Sequence, residues 1–326
     1  MGKTDHVKAL VTGGAGFIGS TLVDRLLAEG HAVDVVDDLS TGSLVNLADA
    51  RADRAHELKV HQVDIRSPEV VDLIVRRAPE VVFHLAAQAD VRVSVDRPVF
   101  DAEVNVIGSL NVLEGARAAG ARKVVFASSG GTIYGDPAPA DLPVRESHPQ
   151  QPLSPYGVAK KVVGDYLHAY RSLHDLEFAA LALANVYGPR QDPHGEAGVV
   201  AIFAGKLLAG EPCTIFGDGR QTRDFVYVDD VVDAFVRGAE KGSGLLCNIG
   251  TGQETSVNDL HRTMAAQAQV PDAAVVHAPS RSGELVRSAL DPGRARIHLG
   301  WSPWTTLDEG TAAVLRYFAD RRGSQA

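Results

Sequence analysis

The sequence predicts an α/β fold in which a parallel sheet is doubly wound by helices and carries a smaller, interleaved C-terminal lobe. Three observations predict it. Apolar strand-like runs alternate with helical periodicity through the first half of the chain. Those runs are apolar nearly throughout, as strands covered on both faces should be. Glycines then divide the second half into short elements.

Ala9 to Thr12 read as the first strand, Phe17 to Ala28 as a helix and Ala32 to Val36 as the second strand. Further strands are expected at Lys59 to Val63, Glu80 to His84 and Lys123 to Ala127, with a helix from Pro98 to Ala119 between the last two. Pro137, Pro139, Pro143, Pro149 and Pro152 mark a loop, Ser154 to Leu173 a helix and Phe178 to Leu183 a strand. The first lobe is expected to end at residue 184. Tyr227 to Glu240 (helical) and Leu245 to Ile249 (strand-like) return to it within 227–250. Segments 185–226 and 251–320 form the second lobe, and 321–326 a frayed tail.

Composition narrows the function. A chain of 326 residues with 45% hydrophobic residues has ample material for a large interior. Its net charge is −9 and its basic residues are dispersed, which argues against nucleic acid or an anionic membrane as partner. The opening residues lead straight into a strand with no apolar leader, and no apolar run is long enough to span a bilayer, so a cytoplasmic protein is expected. Cys213 and Cys247 lie outside any CxxC or histidine-rich context, so neither a disulfide framework nor a metal site is expected.

Gly13, Gly16 and Gly19 follow a strand and open a helix, the setting of a Rossmann-type dinucleotide site. Side chains there would block the turn, the approach of backbone to pyrophosphate and the packing of helix on strand. The helix start at Phe17 and Ile18 offers free N–H groups to phosphate. Asp37, at the end of the second strand, can accept hydrogen bonds from ribose hydroxyls and would repel a 2′-phosphate, which selects NAD over NADP. Asp38 is a second acceptor. Asp64 is placed to reach the adenine or, equally, to serve a turn. His84 reads as a packed structural histidine.

Tyr156 and Lys160 stand four positions apart on a helix and so share a face. An ammonium beside a phenol favours the phenolate and makes it a usable base near neutral pH. Beside a hydride acceptor, such a base suits alcohol oxidation.

The chain resembles the extended short-chain dehydrogenase/reductase family, and within it the nucleotide-sugar 4-epimerases acting on UDP-glucose and UDP-galactose. The resemblance is carried by Thr12-Gly13-Gly14-Ala15-Gly16-Phe17-Ile18-Gly19-Ser20, Val36-Asp37-Asp38-Leu39-Ser40-Thr41-Gly42, His84-Leu85-Ala86-Ala87-Gln88 and Phe126 to Gly135. Further along it rests on the Tyr156/Lys160 pair, Asn185-Val186-Tyr187-Gly188-Pro189-Arg190, Gly217-Asp218-Gly219, Arg223 to Val231 and Asn248-Ile249-Gly250.

The resemblance implies a triad of Ser129, Tyr156 and Lys160, with Ser128 and Thr132 as competitors for the serine role because the loop holds one extra residue. It implies cofactor contacts at Ser40, Thr41, Gly42, Asp64, Ile65, Leu85, Ala86, Ala87, Gln88, Asn105 and Ser128. The alternative for Asn105 is a polar residue packed between helices. For the substrate it implies Gly130 and Thr132 near the sugar, Asn185 and Arg223 at the diphosphate, Val199, Thr214 and Phe216 around uracil, and Arg281 with Glu284 at phosphate and ribose. Two guanidiniums would offset the two charges of a diphosphate.

The implied reaction is C4 epimerisation of a UDP-hexose through a 4-keto sugar, with NAD resident between turnovers. A UDP-glucuronate 4-epimerase is the main rival. Asp192 stands where similar glucuronate enzymes place an arginine, although Arg190 is a possible substitute. A 4,6-dehydratase needs carboxylates where this chain has Gly130-Gly131, and a purely regulatory NAD-binding protein would lack the intact Tyr156/Lys160 pair. Ser288, by resemblance, flanks the C2 side of the sugar and leaves room for 2-acetamido groups. The helices Pro98–Ala119 and Ser154–Leu173 correspond to a homodimer bundle in similar proteins.

Overall fold

Residues Lys8–Thr12 (β1) are apolar on both sides and almost wholly buried, so the strand belongs at the middle of a covered sheet. That is its position in the computed structural model, which describes residues 6–53, 57–193, 198–280 and 285–323. After β1 come α1 (Phe17–Ala28), β2 (Ala32–Asp37), β3 (Leu58–Gln62), α2 (Glu69–Arg77) and β4 (Val81–His84). Next are α3 (Pro98–Ala102), a π-helical turn (Glu103–Gly108), α4 (Ser109–Ala119), β5 (Lys123–Ser129), α5 (Pro155–His174) and β6 (Glu177–Leu183). α6 (Val199–Ala209), β7 (Cys213–Phe216), α7 (Val228–Glu240), β8 (Leu245–Ile249), β9 (Val275–Ala278) and α8 (Leu307–Gly323) follow.

The main sheet among the described residues has seven strands in the order β8-β6-β5-β4-β1-β2-β3, every neighbouring pair parallel. Strand order reverses between β1 and β4. In open parallel sheets the crevice outside the carboxyl ends of the strands at such a reversal receives the ligand.

Alternate residues of the strands face opposite layers. Phe83 packs with Leu22 and Val23 of α1 and with Val231 and Phe235 of α7. Val82 joins Ile74 of α2, Leu113 of α4 and Val163 of α5 on the other side. Each of these side chains contributes roughly 1.5–3 kcal/mol by leaving water. Gly115 lets α4 approach α2, since a Cβ there would lie 2.9 Å from Ile74.

Outside the main sheet the strand pairings beyond β6 are short. β7 pairs with β9, Asn185–Tyr187 pairs with Phe225–Tyr227, and Thr222–Arg223 pairs antiparallel with Thr255–Ser256. α8 runs to Gly323, so Arg321 to Gly323, expected as a frayed end, are helical. The helix expected from Pro98 to Ala119 forms, but widens into the π turn at its centre. No helix among the described residues is long and apolar enough to cross a membrane.

Candidate active site

The turn after β1 is shaped by glycine. Gly13 has φ +71°, and its N–H donates to the Val36 carbonyl at 2.8 Å. A Cβ on Gly13 would lie 2.7 Å from the Ala86 nitrogen, and one on Gly19 2.1 Å from the Gly13 carbonyl oxygen. Gly16 precedes α1, and no side chain caps that helix. The first-turn amides of Phe17, Ile18 and Gly19 have no partner within the helix by its geometry and are suited to phosphate oxygens.

At the end of β2, Asp37 is buried. Its Oδ2 accepts from Ala15 N and its Oδ1 from Leu39 N, both at 2.9 Å. Burial pushes its carboxyl upward, against the pull of those amides. A carboxylate has about four acceptor positions, so two remain for ribose hydroxyls. Gly42 closes over it, where a Cβ would stand 2.8 Å from Oδ1. Asp38 accepts from the backbone N–H and hydroxyl of Ser40 at 2.9 and 2.6 Å on an exposed loop that also holds Thr41. The glycine cradle, the uncapped helix and the carboxylate fit NAD.

Asp64 serves its own turn, accepting from Arg66 N at 2.8 Å and Arg66 Nε at 2.9 Å, and that guanidinium holds its carboxyl below the usual range. Ile65 is buried and packs against Gly108 in the π turn.

The loop after β4 is tied down at both ends. Leu85 N donates to the Thr12 carbonyl at 3.1 Å and Ala86 N to the Thr12 hydroxyl at 3.2 Å. Beyond Ala87, Gln88 N donates to Asn105 Oδ1 at 2.9 Å, and Asn105 Nδ2 returns a bond to the Gln88 carbonyl at 2.9 Å. Asn105 therefore anchors the loop from the π turn, and widened turns of this kind occur where a helix must present such a group. His84 is buried between Thr12 Oγ1 (2.7 Å) and Ser109 Oγ (2.8 Å), and burial takes its pKa to about 3. It is a neutral packing residue.

Ser129 ends β5, and its hydroxyl beside the Tyr156 phenol favours the ionised form of that phenol. Ser128 is buried within the strand, and the Thr132 hydroxyl is directed to the Ser129 carbonyl at 3.4 Å. Of the three hydroxyls, the one meeting Tyr156 is that of Ser129. Ser154 caps α5 by accepting from Gly157 N at 3.2 Å, with Pro155 at the first helical position. Gly157 brings the helix close to the turn at Gly130, since a Cβ there would lie 2.8 Å from the Thr132 carbonyl. Lys160 is 4% exposed. Its Nζ donates to the Ala127 carbonyl at 2.9 Å and lies 5.6 Å from the centre of the Tyr156 ring.

The spacing predicts that Lys160 depresses the phenol, but burial pushes Tyr156 up to about 12; the Ser129 hydroxyl opposes this and the Asp101 charge adds to it. Lys160 is itself pulled down to about 8 by burial, with Asp101 opposing. The ammonium bonds a neutral carbonyl, and desolvation dominates the titration of both groups.

On the second lobe, Asn185 is exposed and donates its N–H to the Asp224 carbonyl at 2.9 Å. Arg223 comes two residues before Phe225, the residue paired with Asn185, and its Nη1 donates to the Thr222 carbonyl at 2.8 Å. Thr214 and Phe216 point to the opposite side of β7 from the buried Cys213 and Ile215, and Val199 opens α6. Arg281 and Glu284 lie outside the described residues. Asp224 received no role from sequence, yet its carboxylate accepts from Thr251 N, Thr251 Oγ1, Gly252 N and Leu290 N and joins three loops beside Arg223. Asp101 was also missed, although it precedes Asn105 by one helical turn.

Fold and site together define a dinucleotide-dependent enzyme of the short-chain dehydrogenase/reductase class. The chain belongs to the NAD dependent epimerase/dehydratase family, whose model matches residues 9–250. It is similar to a UDP-glucose 4-epimerase of Mycolicibacterium smegmatis, 53% identical over 97% of this chain and 99% of the relative. A solved UDP-glucose 4-epimerase of Thermotoga maritima with UDP-glucose is 44% identical, with TM-score 0.91 over 96% of this chain and 99% of that one. That of Thermus thermophilus, in complex with NAD, is 41% identical, with TM-score 0.88 over 95% and 98%.

Proposed function

We propose that the chain is a UDP-hexose 4-epimerase that interconverts UDP-glucose and UDP-galactose. The observation that carries this reading is the placement of the Ser129 hydroxyl beside the Tyr156 phenol at the carboxyl end of β5, with Lys160 one helical turn away and bonded to the Ala127 carbonyl. NAD, when bound, supplies a hydride acceptor and a cationic ring that favours the phenolate. Tyr156 Oη takes the proton of the 4-hydroxyl as C4 is oxidised, and Ser129 orients that hydroxyl. The resulting 4-keto sugar turns over while Asn185 and Arg223, with Arg281 and Glu284, hold the nucleotide. Tyr156 then returns the proton as the opposite face is reduced. Residues 1–184 with 227–250 are the NAD half, and 185–226 with 251–320 the sugar half.

Two features weigh against the rivals. The Arg190 guanidinium is paired with Asp24 of α1 at 2.6 Å, which engages the one cation offered in place of a glucuronate-binding arginine. Gly130 and Gly131 supply no carboxylate, and a Cβ on Gly130 would press on Leu290 Cδ1 at 2.3 Å, so the acid/base groups a dehydratase needs are missing there. Purified protein incubated with UDP-glucose, UDP-glucuronate and UDP-N-acetylglucosamine tests all three, with C4 isomers separated by chromatography. UDP-glucose is expected to react and UDP-glucuronate to remain. Turnover of the acetamido sugar is expected if buried Ser288 leaves space at C2, and its failure removes that role. Turnover is also expected to decline as pH rises past about 8, where Lys160 loses its proton.

Val99 and Leu153 are 71% and 72% exposed, Val158 and Ile107 are exposed on the helices expected to pair, and Leu153 and Val158 line one cavity. This apolar face supports a homodimer, and the free, buried Cys213 and Cys247 accord with the reducing cytoplasm. Val99→Asp with Leu153→Asp is expected to yield monomers in sedimentation analysis. An unchanged sedimentation coefficient would place the contact elsewhere.

A further inference from the structure

We infer that Asp101 is a positioning residue: its buried carboxylate is the counter-charge that keeps Lys160 an ammonium, and through Gln88 and Asn105 it ties the cofactor loop to the same point. The inference rests on the reading of Tyr156 and Lys160 as the reacting pair.

Asp101 is 1% exposed. Its Oδ1 accepts from Gln88 Nε2 at 2.9 Å and from Asn105 Nδ2 at 2.8 Å. Its Oδ2 is buried with no hydrogen-bond partner. An orphaned carboxylate oxygen is costly in a protein interior unless an opposite charge compensates it. Asp101 lies on α3, which packs against α5, and it lines a cavity of about 480 Å³ together with Pro155 and Ala159. Those two immediately precede Tyr156 and Lys160 in the sequence. Asp101 is the one charged residue among the described residues that line this cavity.

Among the described residues, the groups around Lys160 are few. β5 presents the Ala127 carbonyl and the Phe126 ring and α5 presents Tyr156, while β4 and α3 bring His84 and Asp101 within electrostatic reach. His84 is neutral at any working pH, with its pKa at about 3. Asp101 is thus the anion that opposes the loss of the lysine proton by burial. The same charge disfavours the phenolate, so the carboxylate sets both groups to titrate at higher pH.

Asp101→Asn tests this, because the amide oxygen can still accept from Gln88 and Asn105 while the charge is removed. The reading is the titration midpoint of Lys160 by NMR of protein carrying 15N-labelled lysine, with the resonance identified by its loss in Lys160→Met. The midpoint is expected to fall by about one pH unit, and the kcat profile to move toward acid by a similar amount. A merely structural role would lower the height of that profile and leave its limbs in place. An unmoved Lys160 midpoint overturns the inference whatever happens to the rate. Should Asp101→Asn fail to fold, Asp101→Glu retains the charge and is expected to keep the wild-type midpoint; a fall of about one pH unit there overturns the inference equally. The NMR reading needs no substrate, so an epimerase reading that fails through wild-type inactivity is distinguishable from failure here.

Discussion

Tyr156→Phe is expected to lower turnover about a thousandfold while leaving UDP-sugar affinity and bound NAD nearly unchanged. The substitution removes one oxygen and keeps the ring, so the packing of α5 on β5 survives. What disappears is the one group that meets Ser129 and can carry the 4-hydroxyl proton. The high phenol pKa sharpens the expectation. In the free protein, burial holds Tyr156 protonated at about 12, so its activation belongs to the loaded site. Rates under saturating UDP-glucose, with affinity from calorimetry, separate the two effects. A Phe variant within tenfold of wild type would remove Tyr156 from the chemistry.

Gly19→Ala is expected to cost about 3 kcal/mol of stability and to strip most of the bound NAD. The added Cβ would lie 2.1 Å from the Gly13 carbonyl oxygen, 2.8 Å from its carbon and 2.9 Å from Gly14 Cα. All three are backbone atoms, so no rotamer change can make room. α1 must move away from the turn, taking its uncapped amides with it. Gly16→Ala is the informative contrast, since a Cβ there would meet only the Gly13 carbonyl oxygen, at 3.2 Å. That variant is expected to remain nearly as stable as wild type and still hold less cofactor. Thermal unfolding and the NAD released on denaturation measure both. Equal cofactor content in the wild-type and Gly19→Ala proteins would contradict the account of the turn.

The sheet was legible because its strands are apolar on both faces and flanked by clear helical periods. Phe17–Ala28 and Leu245–Ile249 were read with the boundaries the structure shows. The π turn at Glu103–Gly108 was not legible, because it arises from what Asn105 bonds across space and not from its neighbours in sequence. The Asp37 carboxylate was found by position, but its bonds to Ala15 and Leu39 depend on how the loop closes. The sign of the Tyr156 shift was misjudged for a related reason. Helical spacing shows that Lys160 is near, yet burial decides which way the phenol moves, and burial is a property of the whole fold. Asp101 was open to discovery by its spacing from Asn105, but its importance lies in an unpartnered oxygen that only packing reveals.

The most direct test follows the hydrogen on C4. UDP-glucose deuterated at C4 would be given to the protein as purified, without added NAD, and the product examined by NMR. Transient oxidation within a closed site predicts UDP-galactose that retains deuterium at C4, formed by the wild type and not by Tyr156→Phe. Loss of the label to water, or no galactose isomer at all, would contradict it.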